Sequence, residues 1–450
     1  MGNRLDAARM RQEFVTRFGA EPLLAFAPGR VNLLGAHVDY NGGAVLPVVT
    51  RTGTFVAIAP RKDDQVTIAS LDEPAAYRLR RFEKRTATEL GWAAYVVGVL
   101  RELDVKSTDE VRDGSACRGA AVRDTATAIE SGFDLLVGGT VARAAGLSSS
   151  ASLEVAVALA ITEAFDFDLR ESATDRGTCT SATMSTSDEH MHRRRELADV
   201  AHRAETSFVG LPCGIMDPYA VALGRSGAVL YLDCTSRRFE HVALPPEVEL
   251  VVLDTCKPRR LTESVYAVRV EECRAAARIL GEAIGRAPDA DVLPLVTFDE
   301  GQVLANTERL GPVLSRRALH VVREVDRVAR ARAALARRDA ATVGALMTAC
   351  HASCARDYEI SSPELDQLVN SALAIDGVLG ARLTGAGFGG CVLVLARSGT
   401  FGETERTRVA AAFEQRFGVE PRFEVVTTTS RDSMASAGDY AAGVISRPAF

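Results

Sequence analysis

Apolar positions change their period several times along the chain, and each change predicts an element. Over residues 4–18 they fall on one helical face, with Met10, Phe14 and Phe18 repeating every fourth residue until Gly19 ends the run. Leu24 to Phe26 and Thr54 to Ala59 are short apolar runs that predict strands, flanking a segment rich in Gly and Pro. Gly91 to Leu100 returns to helical spacing and predicts a core helix. Phe133 to Val137 predicts a strand, and Ala151 to Phe165 a strongly apolar helix. Val229 to Asp233 and Leu250 to Asp254 predict strands, and residues 262–281 and 317–338 predict helices, the second dense in Arg and Ala. A glycine-rich turn from Arg382 to Cys391 leads into a strand from Val392 to Ala396. Two stretches break the pattern. Asp104 to Ser131 is polar with little periodicity and predicts a loop. Residues 171–194, which end in His190, His192 and the start of an Arg run, predict a solvated surface insertion. Strands and helices are interspersed without regular alternation, which predicts an α+β fold rather than a doubly wound sheet.

The chain has 450 residues, enough for two or three domains. A net charge of −6 gives no reason to expect nucleic acid or a membrane surface as partner. No apolar run is long enough for a signal peptide or a bilayer span, and the nine scattered Cys suggest reduced thiols in the cytoplasm. Cys350-His351-x-x-Cys354 has the outline of a metal clip, but no further ligands lie nearby, which favours two packed thiols one helical turn apart. Cys213 is expected to pack beside the site proposed next.

Three segments concentrate chemistry. The first runs from Ala27 to Gly43 and packs Arg30, His37, Asp39 and two Asn among Gly and Pro residues, a composition suited to a backbone bending around a small polyhydroxylated ligand. The second, Ala145 to Ala151, carries Gly146, Leu147, Ser148, Ser149 and Ser150 between a predicted strand and a predicted helix, where backbone N–H groups bind anions. It is not a P-loop, because no Gly-Lys-Ser/Thr follows. The third, Gly210 to Tyr219, places Asp217 in an apolar turn.

The order Gly-Arg-Val-Asn-Leu-x-Gly-x-His-x-Asp-Tyr-Asn-Gly-Gly over residues 29–43 closely resembles the N-terminal signature of the galactokinases, of the GHMP superfamily of small-molecule kinases. The 145–151 segment resembles the second GHMP motif, although Ala142 and Ala144 stand where Pro and Gly are usual. Leu383 to Cys391 resembles the last motif. Ala204-Glu205 through Asp217 also matches, and the similarity runs from about residue 20 to 396. The resemblance implies a two-lobed GHMP kinase fold with the active site between the lobes, divided into 1–220 and 221–450.

It further implies an ATP- and Mg²⁺-dependent kinase that phosphorylates the anomeric C1 hydroxyl of a galactose-configured sugar. Asp217 would orient that hydroxyl and take its proton, and Arg30 would stabilise the transferring phosphoryl group. Whether Asp217 acts as a full base or through its charge is left open by the residues. Ser150 and Glu205 would hold Mg²⁺. Gly146 to Ala151, with Gly385 and Gly387, would meet the nucleotide. Residues 36, 37 and 39, with Gly214 and Tyr266, would line the sugar.

One departure bears on the substrate. Galactokinases carry Glu where this chain has Ala36, and in the family that Glu and the following His meet the sugar's C6 hydroxyl. Ala36 leaves a larger, less negative pocket there and removes repulsion against a C6 carboxylate. The expectation is therefore galacturonate slightly ahead of galactose. The competing readings are another GHMP kinase and a non-catalytic sugar sensor, and the intact Arg30, Asp217 and phosphate loop argue against the sensor.

Overall fold

In a computed structural model of the chain, described residues are 5–80, 83–108, 129, 131–141, 146–166, 169, 186–257, 262–287, 291–426 and 441–447. Ala142, Ala144, residues 109–128 of the first polar stretch and residues 171–185 of the second lie outside them. Two sheets organise the molecule. The larger has nine strands: β1 (Leu23–Asn32), β2 (Ala44–Val45), β3 (Pro47–Pro60), β4 (Gln65–Ser70), β5 (Tyr77–Arg80), β6 (Phe133–Gly139), β7 (Ala228–Asp233), β8 (Phe239–Ala243) and the last strand of the chain. The smaller runs in the order β10-β11-β9-β12, from β9 (Val248–Asp254), β10 (Val378–Thr384), β11 (Cys391–Arg397) and β12 (Arg422–Val425). That last strand, β13 (Gly443–Ser446), pairs antiparallel with β1. β7, β8 and β13 all follow residue 220 in the chain yet belong to the larger sheet. Pairing is antiparallel except between β4 and β6, a mixed sheet packed with helices, as expected of an α+β fold.

The helices are α1 (Ala7–Phe18), α2 (Ala87–Leu90), α3 (Ala93–Thr108), α4 (Ser149–Ala164), α5 (Thr186–Arg203), α6 (Met216–Leu223), α7 (Thr262–Ala283), α8 (Glu300–Ala305), α9 (Thr307–Ala336), α10 (Ala340–Arg356), α11 (Pro363–Leu373) and α12 (Glu403–Phe417). α1 starts where the Asp6 carboxylate accepts the Arg9 N–H and stops at Gly19 in the left-handed conformation. Its Met10 and Phe14 pack with Phe26 and Phe55 on one face of the large sheet. α4 covers the other face of β1 and β3 and is apolar nearly all round because it is buried nearly all round. All ten residues of β1 are buried. No described helix is long and apolar enough to cross a membrane.

Three sequence expectations need correction. The helix that begins at Ala93 runs on through Asp104 to Thr108, so the expected loop starts later. Residues 186–203 form α5, so the end of the expected insertion is helical; His190 and Arg195 are exposed as expected, but Arg193 and Arg194 are half-buried and bonded. Arg194 donates to the carbonyls of Ala222 and Ala442, and Arg193 pairs with Glu163. These cationic side chains tie α5 to α4, α6 and the segment before β13. In the same way α9 begins at Thr307, before the expected 317, with a break at Gly311-Pro312.

Candidate active site

The register of β1 against β3 shifts between Pro28 and Arg30. A bulge of this kind re-aims the following side chain. Gly29 allows the turn to close: a Cβ there would sit 2.8 Å from both the Leu147 carbonyl oxygen and the Thr50 hydroxyl. Arg30, re-aimed, joins two motifs. Its Nε and Nη2 donate to the two oxygens of Asp217 at 2.7 and 2.6 Å, a fork-on-carboxylate pair, and its Nη1 donates to the Gly146 carbonyl at 2.7 Å. Ser148, at the N-cap of α4 with φ 59°, donates its hydroxyl to Asp217 at 2.5 Å. Asp217 lies in the first turn of α6, where the helix dipole favours an anion.

Beside this pair lies a patch of buried carboxyl groups. Glu205 sits in a wide helical turn, Ala204–Val209, whose carbonyl at 205 accepts from both Gly210 and Leu211. Such turns occur often at functional sites. Ser150 hydrogen-bonds Glu205, and the Cys213 thiol donates to it at 3.4 Å. Burial, then the charge of Asp217, raises the Glu205 pKa. Glu154, one turn along α4 from Ser150, is fully buried with neither carboxyl oxygen hydrogen-bonded. Burial and its acidic neighbours push its pKa well above the usual range. The donor set at 150 and 205 is oxygen-only and short of positive charge, which suits a hard cation such as Mg²⁺.

A cavity of about 130 Å³ adjoins Asp217, lined by Arg30, Asn32, Ala36, His37, Asp39 and Tyr266, among others. Gly214 also lines it, and only glycine fits: a Cβ would meet Asp39 Oδ2 at 2.1 Å. Burial and then Asp217 raise the Asp39 pKa to about 6. Burial, reinforced by His320 and Arg382, lowers His37 to about 3 and keeps it neutral. Its Nε2 faces the Ala386 carbonyl at 3.3 Å, and its Nδ1 lies 2.9 Å from the Tyr40 hydroxyl. Both ring nitrogens therefore already have protein partners, which the sequence did not foretell. Gly385 lines the cavity, whereas Gly387 packs on the Ile360 carbonyl, where a Cβ would sit at 2.4 Å. Leu147 and Ala151 turn into the core.

Several residues here were missed from the sequence. Asn32 Oδ1 is a buried acceptor without a protein partner, although Asn32 stands inside the quoted motif. Glu324, on α9, accepts the N–H groups of Gly35 and Ala36 at 2.8 and 3.2 Å. His320 Nε2 meets the Ala36 carbonyl at 3.1 Å. These two hold the Ala36 peptide from both sides. Burial alone would raise Glu324, but Arg327, His320 and Arg382 outweigh it and hold the carboxyl at about 2. The only sequence signal was His320 and Glu324 four residues apart on a predicted helix. Cys350 and Cys354 are buried with sulfurs 3.9 Å apart, and Cys350 donates to Glu324. His351 faces Asp366 instead, and no cluster of three or more metal-ligating side chains occurs among the described residues.

Known proteins resemble this arrangement along nearly its whole length. Residues 12–60 match the galactokinase galactose-binding signature, 116–225 the N-terminal domain of GHMP kinases and 331–418 their C-terminal domain. A galactokinase of Roseiflexus is 36% identical over 92% of this chain and 93% of its own. The chain belongs to the galactokinase family. The human galactokinase is 37% identical over 86% of this chain and 87% of its own. The crystal structure of Lactococcus lactis galactokinase complexed with galactose superposes with a TM-score of 0.77 at 30% identity, over 94% of this chain and 98% of that one. Mevalonate kinase from Methanococcus jannaschii, at 16% identity and a TM-score of 0.56, shares the fold alone.

Proposed function

We propose that the protein transfers the γ-phosphoryl group of ATP to the C1 hydroxyl of a galactose-configured sugar, and that it takes galacturonate in preference to galactose. The observation that carries the transfer is the Arg30–Asp217 pair, closed by Ser148 at the mouth of a sugar-sized cavity. On this reading the sugar lies against Asp39, Asn32 and Tyr266, with C1 toward Asp217. Asp217 orients the hydroxyl and accepts its proton as the oxygen attacks. Arg30 holds the carboxylate in place with one edge of its guanidinium and offers charge to the transferring group. Phosphoryl transfer depends mostly on such positioning and charge. Gly146 to Ser150 and Gly385 meet the nucleotide. Ser150 and Glu205 would hold Mg²⁺, which supplies neutralising charge to the phosphates.

The sugar preference rests on Ala36. A Glu here would meet a C6 hydroxyl and repel a C6 carboxylate. Ala36 does neither, and its buried methyl group leaves the cavity without an acid at that end. The lobe division proposed near residue 220 falls ahead of β7 and β8, which still belong to the larger sheet, while β13 rejoins that sheet from the chain's far end. The deciding experiment is an ADP-release assay with Mg²⁺ and galactose, galacturonate, arabinose or fucose. Turnover on galacturonate above galactose is expected. Turnover on galactose alone would make Ala36 a neutral variation, and silence on all four with ATP still bound would favour a sugar sensor.

A further inference from the structure

Arg382, on β10, lines the sugar cavity and is 1% exposed. Its Nε donates to the Leu383 carbonyl at 2.6 Å and its Nη1 reaches the Leu33 carbonyl at 3.5 Å. No carboxylate among the described residues forms an ion pair with it, although the charge of Glu324 reaches it and favours the guanidinium. The nearby acid, Glu324, is committed: one oxygen takes the Gly35 and Ala36 amides and the Cys350 thiol, the other takes Arg327. His37 and His320 are neutral, so this end of the site carries one cation in excess. A buried guanidinium with only carbonyl acceptors is costly to hold. The opposite end, around Asp217, Glu205 and Glu154, carries the excess of carboxyl groups. The charge of Arg382 also reaches His37, the residue beside Ala36.

We propose that Arg382 is the specificity residue for the sugar, and that it awaits a carboxylate on the substrate's C6. This rests on the galactokinase-type reading above and deepens it. The uronate oxygens would enter the space left open over Ala36 and supply the missing counter-charge to Arg382. No covalent step is involved. The bond is charge-assisted, and a neutral C6 group cannot replace it without leaving the cation unpaired.

The test is calorimetric binding of free sugars without ATP, so that it does not depend on turnover. Galacturonate is compared with galactose and with galacturonate methyl ester, which keeps the shape and loses the charge. In the wild type the acid should bind about 100-fold tighter than its ester. Arg382→Gln should bring the acid-to-ester ratio close to unity. A wild type that prefers the acid and keeps that preference in Arg382→Gln would overturn the role of Arg382 and leave the galacturonate reading standing. A wild type that binds acid and ester alike would remove the galacturonate reading and this proposal with it. Should Arg382→Gln fail to fold, Ala36→Glu and Ala36→Gln decide. Glu, by supplying the counter-charge internally, should raise Tm above that of Gln and erase the acid preference. Equal melting temperatures would overturn the proposal.

Discussion

The two ends of the sugar cavity are built differently. At one end, Arg30 and Ser148 both bond to Asp217, and each of the three sits in its own glycine-rich motif. At the far end the sugar loop presents only a methyl group and a neutral imidazole. Its shape is imposed from behind by Glu324 and His320, which belong to a long helix in the second half of the chain. The first end depends on the groups that would do the chemistry. The second depends on Glu324 and His320, which stand behind the loop, and on Arg382, which lines the cavity. Substitutions should therefore act on rate at one end and on stability and sugar recognition at the other.

The largest expected effect is at the first end. Asp217→Asn should lower kcat by about 10²–10⁴-fold, the range for a positioned acid or base, while ATP binding by calorimetry stays within a few-fold. Retained activity would deprive the Arg30–Asp217 pair of its proposed role. At the second end, Glu324→Ala should cost about 3–5 kcal/mol in denaturant unfolding, because Arg327 and two amides lose a buried partner. A loss under about 1 kcal/mol would mean the loop holds its own shape. Because the folded carboxyl is depressed to about 2, its stabilisation is present above the ordinary carboxylate pKa and is lost as pH falls toward 2.

Two smaller effects connect the ends. Gly214→Ala puts a methyl group against Asp39 and should raise the sugar KM by about 10–100-fold, with a lesser change in kcat. Equal loss in both would mean the turn serves catalysis rather than sugar fit. Asp39, raised to about 6, should give sugar affinity an acid limb that falls about tenfold per pH unit below 6. For stability the sign is opposite. A raised carboxyl pKa stabilises the fold at low pH, and that contribution is lost as pH rises from about 4 through 6. Asp39→Asn should remove the limb, and a limb that survives would belong to another group.

What could be read from the sequence was local. The α1 helix with its Asp6 and Gly19 ends, the strands around the first motif and the apolar α4 follow from periodicity and capping, which act over a few residues. The order of motifs likewise pointed to Arg30, Asp217 and the Ser-rich loop, since glycine spacing and side-chain chemistry are written along the chain. The first half of α5, residues 186–194, was read as part of a polar insertion because its Arg and His residues lack an apolar stripe. Their partners, Glu163, Ala222 and Ala442, come from three other places in the chain. Pairings of that kind leave no period to detect. The same reason hid Glu324, His320 and Arg382. A buried charge is stable only beside partners, and apart from Arg327 and Leu383 the partners here are brought up by tertiary packing from 26 to 349 residues away. The sequence by itself determined the family, the motifs and most elements, because these rest on short-range patterns. Only the tertiary structure decided which side chains stand behind the sugar loop and which buried cation is left without an ion pair among the described residues, because burial and charge balance depend on the whole fold.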